Sequence, residues 1–289
     1  MSLEIVFWDV KHGSSTYIKT PNGKHIVCDL GVGSYESSDE AFSPLLHLKN
    51  RWAVKQLDMV IITHPHKDHI NDIMNFEQLS PKVLHRPNHL SKEDILKSIR
   101  KEDKQLFEKY FEINDRYSSP ISPENNPYKS DNMGGVALQT FTPTSCDTSN
   151  INNHSIVSVL SYAESKVIIT GDNEPPSWKE LLAKDAFVTA IKNADILLAP
   201  HHGRDSGFHK ELFDNFSPYL TVISDGRFCD ASATDRYCKV TKGWKVHYRN
   251  GDSEERKCLT TRSDGFVVVK LSVIVTRNPS SQLAQKASS

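Results

Sequence analysis

Three histidines and one aspartate fall within six residues of a single stretch, Thr63-His64-Pro65-His66-Lys67-Asp68-His69-Ile70. Imidazoles and a carboxylate packed this closely suit borderline cations such as zinc, which takes nitrogen and oxygen donors alike. The four donors form two pairs, His64 with His66 and Asp68 with His69. Two pairs fit two metals held side by side better than one compact trio would. A lone histidine is usually just a satisfied polar side chain. A cluster of this density is the main sequence sign of a metal site.

The element that must position these donors lies just before them. Residues 57–62 (LDMVII) form a continuous apolar run of strand length, which predicts a buried strand. Pro65 has no amide hydrogen for a central ladder, so the chain must turn there. His64 and His66 then stand at the strand's end, with Asp68 and His69 a little further round. Comparable runs recur at 3–10, 25–28, 136–141, 156–162, 166–170, 195–200, 219–224, 244–248 and 265–271. Pro21-Asn22-Gly23-Lys24 reads as a hairpin turn before the second of these. Helices are expected at 45–54, at 91–117 and from Trp178 onward. Ile95, Ile99, Leu106, Tyr110 and Phe111 give 91–117 an apolar stripe, and Ser91 with Asp94 resembles a capping box.

A polar loop is expected at 33–39. Residues 118–133 are rich in Pro, Asn and Ser and predict a long loop. Residues 118–133 have too few apolar residues for a core of their own, so the region at about 88–133 reads as an insertion over the active-site edge rather than a separate domain. One domain over 1–278 with a frayed tail at 279–289 is the expected organisation. Strands interleaved with helices predict an α/β fold.

The chain has 289 residues, 37% of them hydrophobic and 25% charged, which is ordinary for a globular protein. Its net charge of -1 speaks against a grip on long nucleic acid through many phosphates. The lysines of 91–117 alternate with acids and read as a solvated face. The first ten residues lack the basic-then-apolar pattern of a secretory signal. No apolar run approaches the ~20 residues that span a bilayer, so no membrane contact is expected. Cys28, Cys146, Cys229, Cys238 and Cys258 are dispersed, which argues against a disulfide framework and suits a reducing cytoplasm.

The pattern His-x-His-x-Asp-His resembles the signature of the metallo-β-lactamase-fold hydrolases. The remaining motifs are most similar to the branch that includes the hydrolase domain of the ComEC competence proteins and its stand-alone relatives. These motifs are a strand and a polar loop carrying Gly13, then Asp29-Leu30-Gly31, then Asn152-Asn153-His154-Ser155. Gly171-Asp172 and Pro200-His201-His202-Gly203 follow. The resemblance covers nearly the whole chain and implies a four-layer αβ/βα sandwich.

It also implies a dinuclear site with two divalent metal ions, zinc first and manganese second. His64, His66, Asp68 and His69 would be ligands, as would His154 as third ligand of the first metal; the alternative is that Asn153 lines the site. Asp172 would bridge, since one anion shared between two dications offsets their repulsion. His202, with His201 as the alternative, would hold the second metal. Asp29 would support a ligand histidine in its proper tautomer.

Some positions depart from the pattern. His12 replaces a common glutamine and either faces the site or lies on the surface. Asn71-Asp72 replaces two glycines. Arg204 replaces a serine and puts a guanidinium, suited to paired anionic oxygens, near the site. A His-Pro pair is missing from 225–237. There Arg227, Asp230, Thr234, Asp235 and Arg236 either shape a substrate pocket or are ordinary loop polarity.

The implied reaction is attack by a metal-activated hydroxide on phosphorus or on a carbonyl carbon, with Asp68 also taking or relaying the proton. A phosphodiester, nucleotide or short nucleic acid, is the first expectation, so the partner would be a small or short anionic substrate. A lactone or carboxylic ester is the alternative, and a non-catalytic metal-binding sensor the third reading.

Overall fold

The computed structural model describes residues 1–32, 42–97, 99–226 and 232–273. The expected loop at 33–39, Arg227, Cys229, Asp230 and the tail at 279–289 lie outside the described residues.

Period-two alternation sets the layers. In β1 (Ser2–Phe7), Leu3, Ile5 and Phe7 are buried in one core and Val6 in another. A strand buried on both faces needs cover on both. β2 (Thr16–Lys19) and β3 (His25–Cys28) pair antiparallel in turn, and β4 (Met59–Ile61) and β5 (Val83–His85) extend the sheet in parallel. A second sheet is built from β6 (Ala137–Phe141), β7 (Val157–Tyr162), β8 (Ser165–Ile169), β9 (Ile196–Leu198) and β10 (Leu220–Ile223). β11 (Trp244–His247) and β12 (Ser253–Arg256) form a separate hairpin. β13 (Cys258–Thr260) then joins β10, and β14 (Val267–Ser272) returns to pair with β1. Both main sheets are six-stranded, ordered β14-β1-β2-β3-β4-β5 and β13-β10-β9-β8-β7-β6.

Three apolar cores separate four layers. The central one joins the sheets face to face, with Ile5, Ile26 and Met59 meeting Leu160, Val167 and Val222. Outside the first sheet lie α1 (Pro44–Asn50), α2 (Lys67–Ile70), α3 (Lys92–Leu96) and α4 (Lys104–Arg116). Outside the second lie α5 (Pro175–Leu182), α6 (Asp185–Ile191) and α7 (Thr234–Val240), packed through Trp178, Phe187 and Tyr237. A short α8 (Thr261–Asp264) follows β13. This is the αβ/βα sandwich. Among the described residues no helix is long and apolar enough to cross a membrane.

One local outcome differs from the sequence reading. The helix expected over 91–117 is divided into α3, a 3-10 turn at Lys101–Asp103, and α4. One straight helix of that length would run about 40 Å. The division lets Ile95 and Phe107, Tyr110 and Phe111 reach the same core. The capping box of Ser91 and Asp94 is formed. Residues 118–133 run along the sheet edge. Tyr128 meets the His85 ring and Thr140, and the Asn132 carbonyl accepts from Asn22 at the β2–β3 turn, at the opposite end from His64. Asn71 and Asp72, in place of glycines, tie loops together. Asp72 accepts from Ser43 Oγ and Leu45 N at the start of α1, and Asn71 bonds the backbone of Val32.

Candidate metal centre

β4 delivers Thr63 and His64 to the end of the first sheet, where β3 delivers Asp29. Asp29 is fully buried and has a left-handed backbone, φ 61°, which Asp tolerates better than most residues. Its Oδ1 accepts from Thr63 N at 2.7 Å, and its Oδ2 accepts from Thr63 Oγ1 at 2.8 Å and lies 2.7 Å from His69 Nδ1. One carboxylate thus anchors the strand end and holds the His69 proton on Nδ1, leaving Nε2 to face inward. Burial raises the pKa of Asp29, while His69 and Thr63 pull it back down.

β8 ends at Gly171-Asp172. A Cβ on Gly171 would stand 2.6 Å from Thr63 Oγ1 and 2.8 Å from Ser155 Cβ, so only glycine lets the two sheets' strand ends approach this closely. Asp172 N donates to Ser155 Oγ at 3.0 Å. The carboxylate stands between two donor groups: Oδ1 is 3.1 Å from His69 Nε2 and 3.6 Å from His202 Nε2, and Oδ2 is 3.9 Å from His64 Nε2.

β9 ends in an unusual turn. His201, His202 and Gly203 all have positive φ, at 49°, 54° and 75°. Left-handed non-glycine residues cost about 1–2 kcal/mol each, so the surrounding structure must hold them there. A Cβ on Gly203 would meet Ile223 Cγ2 at 2.7 Å. The turn sends the two histidines opposite ways. His202 donates from Nδ1 to Ser224 O at 2.9 Å and brings Nε2 within 3.2 Å of Asp68 Oδ2. His201 turns to Glu174 Oε1 (3.0 Å) and Ser206 Oγ (2.9 Å) with Nδ1. Its Nε2 accepts from Arg204 Nη1 at 3.1 Å. Both ring nitrogens of His201 are therefore engaged by protein groups.

Asp68, His69, Asp172 and His202 offer donor atoms that all lie within 4.8 Å of one another. His69 Nε2 and His202 Nε2 are buried with no well-aligned hydrogen-bond partner. Burial alone would lower both histidines' pKa, but the surrounding carboxylates outweigh it and hold them above the ordinary range. Burial would raise Asp68 and Asp172, and the same histidines hold both well below it. Two buried imidazole Nε2 atoms converging with two carboxylates form a donor set that fits a divalent metal, which would replace the protons the carboxylates otherwise favour on the rings.

The second group is less complete. His64 Nε2 and His66 Nδ1 face each other at 3.0 Å, and burial keeps both below the usual histidine range, hence neutral. The side chain of Asn152 adjoins His66 and Glu174, and its Oδ1 is buried without a partner. His154 meets His89 Nε2 (2.8 Å) and Pro143 O (3.3 Å) through Nδ1, keeps Nε2 buried without a partner, and is not in the four-donor set. Asn153 is buried, with its Oδ1 unpartnered. His12 reaches the site: Nε2 is 3.4 Å from Asp68 Oδ2, with the side chain half exposed. Arg236 pairs with Asp205 at 3.0 Å. The residues that sequence reasoning passed over are Asn152 and Glu174. Asn152 and Ser155 occupy the first and last places of the Asn-x-x-Ser segment, a signal that the nearby histidine obscured.

A family model described as the metallo-beta-lactamase superfamily matches residues 8–212. The chain belongs to the metallo-beta-lactamase superfamily. It is 24% identical over 247 residues to ComE operon protein 3 of Bacillus subtilis (strain 168), covering 78% of this chain and 28% of that protein. It is 22% identical over 227 residues to the uncharacterized protein YcaI of Escherichia coli (strain K12), covering 78% of this chain and 25% of that one. The chain thus spans about a quarter of the length of these curated relatives. Among solved structures, a CmlA beta-hydroxylase variant superposes with a TM-score of 0.51 at 11% identity, over 93% of this chain and 54% of that one. That is a likeness of fold. For a superfamily chain the ComEC-like kinship agrees with the motifs, and the donor set at the strand ends is its candidate divalent-metal cluster.

Proposed function

We propose that this chain is a cytoplasmic phosphodiesterase acting on a small or short anionic substrate, such as a nucleotide derivative or a single-stranded end. The observation that carries the reading is Arg204. Its Nη1 reaches the His201 ring, whose Nε2 is 3.6 Å from Asp172, and its Nε is buried with no partner. An unmet guanidinium donor beside the donor set suits the paired oxygens of a phosphate and has little to offer a neutral ester. The net charge of -1 favours short substrates over long duplex.

In this reading Asp68, His69, Asp172 and His202 would hold one divalent metal, zinc or manganese. His64 and His66, with Asp172 and Asn152 alongside, would hold the other. Bound there, such ions supply a water activated at neutral pH and a Lewis acid for the developing oxyanion. The chain's residues do the rest. Arg204 orients the non-bridging oxygens. Asp68, whose side chain is a fifth exposed, is placed to take the proton of the attacking water. Asp29 keeps His69 in one tautomer.

The test is hydrolysis of bis-p-nitrophenyl phosphate against a p-nitrophenyl ester and a lactone, with zinc and with manganese, in the wild type and Arg204→Ala. The phosphodiester should be cleaved, and the variant should raise its KM by about 1.5–3 kcal/mol in binding while barely changing that of an ester. Ready cleavage of the ester or lactone, with no phosphodiester turnover under either metal, would overturn this reading.

A further inference from the structure

Trp8 directly follows β1. With Asp9, Phe42, Trp52, Arg249 and Phe266 it lines a cavity of about 590 Å³. That volume lies in the range of small-molecule sites. The Trp8 ring centroid is 5.4 Å from Phe42, 5.1 Å from Trp52 and 5.9 Å from Phe266, at interplanar angles of 51°, 43° and 50°. Trp52 and Phe266 stay 39% and 37% exposed, so the wall is aromatic and open to solvent.

A second observation points to a ligand. Trp8 is 3% exposed, yet its indole Nε1 is buried and has no acceptor among the described residues. Buried donors are rarely left unmet, and an acceptor on a ligand would satisfy this one. Charge narrows the choice. The Arg249 guanidinium lies 4.5 Å from the Phe266 ring centroid, so a cation already occupies that aromatic face. A second cation over Phe266 is disfavoured; the Asp9 carboxylate also lines the cavity, so an anionic substituent is favoured at the Arg249 side of it. The occupant is then a flat ring with a hydrogen-bond acceptor and an attached anion. A nucleotide has all three, and bases stack on aromatic side chains whatever their sequence.

Position links the cavity to the metal centre. Trp8 lies four residues before His12, which contacts Asp68. Four residues span at most about 14 Å, which is the reach of one or two nucleotide units rather than of a long strand. We propose that this aromatic cavity is a nucleobase subsite, holding the base of a substrate whose phosphate extends toward the metal centre. It rests on the phosphodiesterase reading above and names the substrate class.

The experiment uses the full chain with a chelator present, titrated calorimetrically with adenosine 5′-monophosphate, ribose 5-phosphate, inorganic phosphate and tetramethylammonium. The expected result is saturable binding of adenosine 5′-monophosphate and at least tenfold weaker binding of the other three. Trp52→Ala and Arg249→Ala, with circular dichroism confirming the fold, should each weaken the nucleotide about tenfold. Trp8→Phe, which keeps a ring and removes the N–H, should weaken it several-fold. Preference for tetramethylammonium, or nucleotide binding that none of the three variants alters, overturns the subsite. The measurement needs no metal and no turnover. Phosphodiester cleavage without nucleotide binding would therefore overturn this inference alone. Nucleotide binding without any phosphodiester cleavage would overturn the proposed activity and leave the subsite standing.

Discussion

The two sides of Asp172 are built differently. On one side Asp68, His69 and His202 complete a set of four mutually close donors with two carboxylates. On the other, His64 and His66 face each other, and the neighbour at His66 is the neutral amide of Asn152. Both sides share the Asp172 carboxylate and the same buried setting. They differ in charge and in support. His69 is anchored by the fully buried Asp29, and His202 by a backbone carbonyl, whereas the His66 ring stands beside the Asn152 amide. Anionic donors offset the charge of a dication, and outer partners fix ring orientation. The four-donor side should therefore hold its ion more tightly, and the comparison can be tested from both ends.

The largest effect should come from Asp172→Asn, which removes the shared charge from both sides. Elemental analysis of the wild type reconstituted with zinc should give close to two ions per chain. The variant should give fewer than one, with hydrolysis reduced by about 100-fold or more, the upper end of what loss of an outer-shell partner costs. Two ions retained would place Asp172 outside the centre.

Next comes Asp29→Asn, a substitution that the left-handed backbone accepts. It should weaken only the four-donor side, by about 10- to 100-fold in affinity, read by competition with a chromophoric chelator. An equal loss on both sides would mean that Asp29 supports the whole loop rather than His69.

The smallest effect should come from Asn152→His, which offers a third imidazole beside His64 and His66. The more easily chelated ion should then be retained better, on the order of tenfold. No change in the two-step chelation curve would show that Asn152 does not border that ion.

Much of this architecture was open to local reading. The His64–His69 donors sit in one turn because an apolar run precedes them and Pro65 stops it, and both facts are properties of neighbouring residues. Gly171-Asp172 is legible for the same reason, as a polar pair ending an apolar strand. β5 was not legible, because Val83–His85 has three residues and no alternation to detect. β12, with the sequence SEER, is held by backbone pairing to β11 rather than by any apolar face.

What the sequence by itself determined is the identity of the donors and their places at strand ends, because strand, turn and spacing are set by interactions within a few residues. Which donors converge was decided only by the tertiary structure. His202 rather than His201 enters the four-donor set because a left-handed turn, packed on Ile223 and held through Ser224, splits the pair. Asn152 adjoins His66, while the His154 Nδ1 is turned to His89 and the Pro143 carbonyl. The Trp8 cavity likewise joins residues from both ends of the chain. In each case the deciding partner lies well outside the local segment, and no local pattern encodes the direction in which a ring nitrogen will point.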